Sequence, residues 1–196
     1  CHSHKQNKAK LNVCSTNIDN ELNDTNCVSC HMPKVFGSPS ELHYRAKHTF
    51  HGFPGAHNNN ELLAKYIDIK SIKDINSFKI SIENRSSHSI LLHPLRVLLL
   101  KVNIKRDGKV IKKFEDKRFV RAIGHNGKPT MPWLATEEVE NSMIKQKETR
   151  VVDYNFTLKK SDKIVVTLGY FLVNPDMIEP LKLNKSRIAK KFFILK

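Results

Sequence analysis

A chain of 196 residues with 39% apolar content is long enough for one ordinary domain or two small ones with a real core, which excludes a wholly disordered tail. Lys and Arg number 34 against 19 Asp and Glu, a formal net charge of +15 that favours an acidic partner: nucleic acid, an anionic membrane surface or an acidic redox protein. The cations are scattered singly (Lys65, Lys70, Lys73, Lys79) or fall between strands (Lys105-Arg106, Lys112-Lys113, Lys159-Lys160), with no basic helix or arginine-rich arm, so nucleic acid is set aside.

The chain begins at Cys1 without an initiator Met, as expected of a processed product or a piece of something longer. Cys1 reads either as the lipid-carrying first residue of a mature bacterial lipoprotein or as the second Cys of a haem motif cut before it. Residues 1–75 hold all four Cys, seven of the ten His and little period-2 alternation. Such a segment buries little apolar surface by itself and needs a crosslink, a metal or a large apolar cofactor to become ordered. Within it, Cys27-Val28-Ser29-Cys30-His31 has the spacing of c-type haem attachment, in which each thiol adds to a porphyrin vinyl group and the adjacent imidazole takes the iron.

The rival is half of a zinc site, with Cys27 and Cys30 as thiolates and further ligands from Cys14, Cys1 or a nearby His. Histidine density favours iron. His43, His48, His51 and His57 follow within 26 residues of His31, a supply suited to a six-coordinate haem that takes a second imidazole. A thioredoxin-like role fails because the motif does not sit at a strand-to-helix turn of an α/β unit. Further along, Asn58-Asn59-Asn60 offers an N-cap for a short helix with Glu61 in its first turn and Leu62, Leu63, Tyr66 and Ile67 as its apolar stripe.

From residue 76 to 196 the pattern is that of strands. Phe78, Ile80 and Ile82 alternate with polar residues, as do Leu98, Leu100, Val102 and Ile104, until Arg106-Asp107-Gly108-Lys109 marks a hairpin turn. Val110-Ile111 resumes the chain, Phe119 to Ile123 predicts another strand, and Arg150 to Leu158, Lys163 to Val173 and Lys191 to Leu195 predict three more. Six or seven such strands predict a mainly β fold: a haem-binding segment of loops and short helices, then an antiparallel β-sandwich. No run of 18 apolar residues occurs, since Val97-Leu98-Leu99-Leu100 ends at Lys101, so no transmembrane helix is expected.

CVSCHMPKVFG, followed by RAKHTFHGFPGAHNNNELL, resembles the last haem-binding segment of periplasmic multihaem c-type cytochromes, the cytochrome c554-like group. Ile80-Ser81-Ile82-Glu83-Asn84 followed by Arg85-Ser86-Ser87-His88 is similar to the strand and His that open a β-sandwich in those chains. The Lys-Arg-Asp-Gly-Lys hairpin and Glu148-Thr149-Arg150 are similar to later parts of that module. The resemblance implies haem c on Cys27 and Cys30 with His31 as proximal ligand, and it makes Cys1-His2 the end of a preceding motif that carries a second haem. A disulfide between Cys1 and Cys14 is the competing reading, which an oxidising periplasm favours.

For the second axial ligand the His-rich loop offers His51 first and His48 second, beside Gly52 and Gly55, which let backbone approach a porphyrin closely. His57 is a third candidate, and His88 reaches back to a haem from the sandwich. Met131, in Thr130-Met131-Pro132-Trp133, is a weaker candidate 100 residues from His31. His43 is expected at the surface, and His93 and His125 are read as structural. Two imidazoles saturate an iron, so the expectation is outer-sphere electron transfer in the periplasm, steered toward an acidic redox partner, with no catalytic residue in the chain itself. Two alternatives accompany it: a zinc-stapled binding module, and the C-terminal part of a multihaem oxidoreductase whose catalytic haem lies elsewhere.

Overall fold

The computed structural model describes residues 4–15, 31–38, 40–42, 44–52, 64–90, 93–184 and 190–195. Two small antiparallel hairpins come first: β1 (His4–Gln6) with β2 (Asn12–Ser15), and β3 (Lys34–Phe36) with β4 (Lys47–Thr49). The remaining strands form two antiparallel sheets. One has three strands, with β6 (Ser77–Asn84) flanked by β5 (Ile67–Lys73) and β12 (Thr149–Asn155). The other is larger. Its path runs β10 (Lys128–Pro129), β9 (Lys117–His125), β7 (Val97–Arg106), β13 (Lys163–Phe171), β14 (Lys190–Leu195). Off that path β8 (Lys109–Lys113) pairs β7 and β11 (Glu137–Asn141) pairs β9.

Strict alternation determines which face of each strand meets the other sheet. On β6 the buried positions are Phe78, Ile80, Ile82 and Asn84; on β7 they include Leu98, Leu100, Val102 and Ile104; on β13 they are Ile164, Val166, Leu168 and Tyr170. Together with Ile90, Phe119, Ile144 and Tyr154 the apolar side chains among these make one contiguous core. Each fully buried aliphatic or aromatic side chain contributes about 1.5–3 kcal/mol against the entropy of ordering the chain. Phe78 stacks on Tyr154 with ring centres 5.0 Å apart, and Phe114 meets Tyr154 edge-on at 4.8 Å.

The Asp107-Gly108 turn forms as the sequence predicts, with φ of 48° and 78°, the left-handed pair that a two-residue hairpin requires. The expected helix fares differently. Residues 64–66 are helical, but Ile67 already opens β5 and pairs with Asn84. Ile67 and Ile69 pack on the core as alternating strand positions, so tertiary pairing prevails over a short helical stripe. The candidate N-cap at 58–60, Leu62 and Leu63 lie outside the described residues. No described helix is long and apolar enough to cross a membrane.

Candidate haem site

Two sequence-distant histidines are brought close together. His31 closes the cysteine motif, and His88 lies in the connection between β6 and β7; their ring centres are 6.2 Å apart and their planes differ by 23°. That spacing is long for two small rings stacked in direct contact. Two imidazoles that held one metal through a nitrogen each would have their centres up to about 6 Å apart, from a nitrogen–metal bond of about 2 Å and a ring centre roughly 1 Å behind each nitrogen. At a tetrahedral angle, as zinc prefers, the same bonds bring the centres to about 5 Å.

The His88 ring is oriented by its own backbone. Its Nδ1 lies 2.8 Å from the carbonyl oxygen of Ser89, so the ring donates there through Nδ1–H and Nε2 carries the lone pair. A ring nitrogen tied to a carbonyl while the other faces outward is the arrangement by which metal-ligating histidines are held. Burial pushes the His88 imidazole below its ordinary pKa; the Ser89 carbonyl works against that shift, and the neighbouring His31 adds to it.

Beneath His88 lies a polar knot centred on Asn84, which is fully buried at the end of β6. Its Nδ2 donates to the carbonyls of His88 at 2.9 Å and Lys145 at 2.8 Å, with a longer contact of 3.3 Å to Ile144. Its Oδ1 accepts from Ser86 N at 3.0 Å and Ser86 Oγ at 2.6 Å. Backbone bonds from Asn84 N to the Glu148 carbonyl and from Ile90 N to the Ile144 carbonyl join the same two loops. Sequence reasoning placed Asn84 only as the end of a strand. The available signal was an Asn two residues before a Ser, the composition of an Asx turn.

The other candidates are dispersed. His48 sits half-buried on β4 with Nδ1 2.8 Å from the Gly37 carbonyl oxygen, the same side-chain habit as His88. His51 is exposed two residues past β4. Around them Phe36, Leu42 and Tyr44 are 82%, 88% and 90% exposed, an unusual surface for large apolar side chains. Met131 lies in a turn whose Met131 carbonyl accepts from Leu134 N and Ala135 N. His93 accepts from Leu95 N through Nδ1, and burial together with Arg96 and Arg121 lowers its pKa. His125 pairs with Thr136 Oγ1 at 2.9 Å. Cys1, His2, Cys27, Cys30, His43 and His57 lie outside the described residues. Among the described residues no three His, Cys, Asp or Glu side chains are grouped to hold a metal ion.

No family model and no curated protein matches the chain. Among solved structures it is similar to a penta-haem cytochrome c552 from Thermochromatium tepidum, with a TM-score of 0.74 and 21% sequence identity over 99% of this chain and 53% of that one. At that identity the likeness shows a shared fold, and the chain spans about half the length of that protein.

Proposed function

We propose that this chain binds c-type haem through Cys27 and Cys30, that His31 and His88 are the imidazoles that would hold its iron, and that it serves periplasmic electron transfer within a multihaem cytochrome. The observation that carries the reading is the 6.2 Å separation of the two imidazole rings, a distance over which one nitrogen of each could reach a single iron. Its fold is shared with a protein whose description is a penta-haem cytochrome, which supports the same class of cofactor. The cysteine motif would supply the attachment and the sheets that begin with β5 the β-sandwich, so the two segments would meet at the cofactor.

The haem, when bound, supplies an iron that takes up and releases one electron. What the chain's own residues do is hold and enclose it. His31 and His88 provide two neutral nitrogen donors, which leave no position for substrate; that suits a carrier better than a catalyst. Ser89 fixes the tautomer and aim of His88. His48 and His51, on and just after a hairpin that exposes Phe36 and Tyr44, are read as ligands for neighbouring haems of the same assembly, with His2 and His57 in the same role and Cys1 as a covalent attachment point of a preceding haem. The basic surface attracts an acidic redox partner, an effect that salt weakens.

The test is spectroscopic. Chain matured in a host with cytochrome c assembly is expected to be red and low-spin; His88→Ala should convert this haem to a high-spin form, whereas His51→Ala should leave it low-spin. A colourless, zinc-containing product from that host would overturn the haem reading. A low-spin spectrum that survives His88→Ala would overturn the choice of ligand.

A further inference from the structure

We infer that Asn84 and Ser86 are positioning residues for His88, forming a clamp that holds the imidazole in place and so closes the sixth position to exogenous ligands. The inference rests on the proposal that His88 is the distal axial ligand. A ligand residue in a loop between strands moves with that loop unless its main chain is fixed. Here the fixing is unusually complete. The His88 carbonyl accepts from Asn84 Nδ2 at 2.9 Å; Ser86 Oγ lies 2.6 Å from Asn84 Oδ1 and 2.8 Å from the His88 carbonyl, its one proton shared between them, and the His88 ring is tied to the Ser89 carbonyl at 2.8 Å.

The amide of Asn84 is the side chain that this position calls for. Its nitrogen faces carbonyl oxygens alone, those of His88, Lys145 and Ile144, and its oxygen faces the donors of Ser86 alone. Aspartate would turn an oxygen toward three carbonyls, and an apolar residue would take one donor from each, leaving only Ser86 Oγ, Glu148 N and Ile90 N to reach them. Asn84 also belongs to β6, paired on both sides by β5 and β12, so the clamp is anchored in the rigid sheet four residues from His88. Through Lys145 and Ile144 the same amide couples the ligand loop to the loop between β11 and β12.

The experiment uses the haem-loaded chain and follows carbon monoxide binding to the ferrous form, which requires the distal imidazole to leave. Ser86→Ala should raise the observed binding rate about fivefold, the effect expected for one lost hydrogen bond, and Asn84→Ala should raise it further. Ile104→Ala, a core cavity at the far end of β7, lowers overall stability and is expected to leave the carbon monoxide rate at the wild-type value. His88→Ala separates the two ideas: if it fails to open the site, the ligand assignment falls. If it opens the site while Ser86→Ala and Asn84→Ala react as slowly as wild type, the clamp falls and the ligand assignment stands. Equal acceleration in Ile104→Ala would also overturn the clamp, because loosening of the whole fold would then explain it. Should Asn84→Ala fail to fold, Ser86→Ala, at a half-buried position, still decides the question.

Discussion

Arg106 and Asp162 form a two-pronged ion pair at the end of the sandwich opposite His88: Arg106 Nε donates to Asp162 Oδ1 at 2.6 Å and Nη2 donates to Oδ2 at 2.9 Å. The pair extends the β7–β13 register by one step, since Lys105 lies opposite Lys163. Asp162 Oδ2 also accepts from Lys159 N, closing the turn that precedes β13. The Arg106 guanidinium holds the Asp162 carboxyl down at about 2, aided by the Lys159 backbone, although burial works the other way.

A carboxylate whose pKa is depressed in the folded state stabilises the fold above its unfolded pKa of about 3.9 and loses that contribution as pH falls toward its folded value. Asp162→Asn is therefore expected to lower the melting temperature at pH 7. Between about pH 5 and pH 2 the gap to wild type should narrow, because wild type loses the same interaction on protonation. A gap that stays constant over that range, followed by thermal melts in a pH series, would show that the pair's charge contributes nothing.

Tyr154 is buried, and its hydroxyl is without a hydrogen-bond partner among the described residues. Burial, with Asp116 nearby, pushes its phenol up to about 12. Because the ring does the packing against Phe78 and Phe114 and the hydroxyl only loses hydration, Tyr154→Phe should leave stability unchanged or raise it by about 0.5–1 kcal/mol. Tyr154→Ala should cost roughly 3–5 kcal/mol. Urea denaturation of both variants checks the pair of expectations; a clear loss in Tyr154→Phe would mean that the hydroxyl is satisfied after all.

The sandwich strands were legible because alternation is a local property: Phe78, Ile80 and Ile82 announce a buried face whatever lies opposite them. β5 was not legible. Its Asp68, Lys70 and Ser71 dilute the pattern, and only pairing with β6 makes Ile67 and Ile69 core positions. Gly124 stands within β9, where a Cβ would collide with the Lys128 carbonyl and with Val139, and the turn that follows is Asn126-Gly127. At the site, the motif ending in His31 could be read directly, whereas its partner could not. His51 is the candidate favoured by closeness in sequence and by its glycines, and His88 the one offered from the sandwich; the structure brings the His88 ring to 6.2 Å from that of His31, a proximity that no spacing rule encodes.

Arg121 is a buried cation on β9 that fastens the first hairpin to the larger sheet. Its Nη1 and Nη2 donate to the carbonyls of Val13 at 2.9 Å and Asn12 at 2.8 Å, and its Nε pairs with Glu138. Asn7 adds a second fastening, from Nδ2 to the carbonyls of Pro132 and Ala135. Arg121→Met should cost about 2–3 kcal/mol, as expected for hydrogen bonds from a charged donor in a buried site. The loss should be local first. Amide exchange at residues 12–15 should accelerate well before that of β7 or β13, and uniform acceleration throughout the sandwich would count against a fastening role.

Among the described residues the core cluster runs from Phe78 to Tyr170 and takes in none of His31, His48 and His51. The sandwich therefore has the packing to fold without cofactor, while the composition of the segment before it calls for a crosslink, a metal or a cofactor. Cys27→Ser/Cys30→Ser protein made in a reducing cytoplasm should keep a cooperative urea transition and the far-ultraviolet signature of β-structure. Its β3–β4 hairpin should exchange its amides rapidly, because Pro33, Phe36 and Tyr44 are exposed and only short backbone pairing holds the two strands. Haem-loaded chain should protect that hairpin and melt at a higher temperature, since a group bound to both His31 and His88 ties the segment to the sandwich only in the folded state. If the cofactor-free chain shows no cooperative transition at all, the division into a cofactor-dependent segment and a self-sufficient sandwich is wrong, and the cofactor belongs to the core of the whole fold.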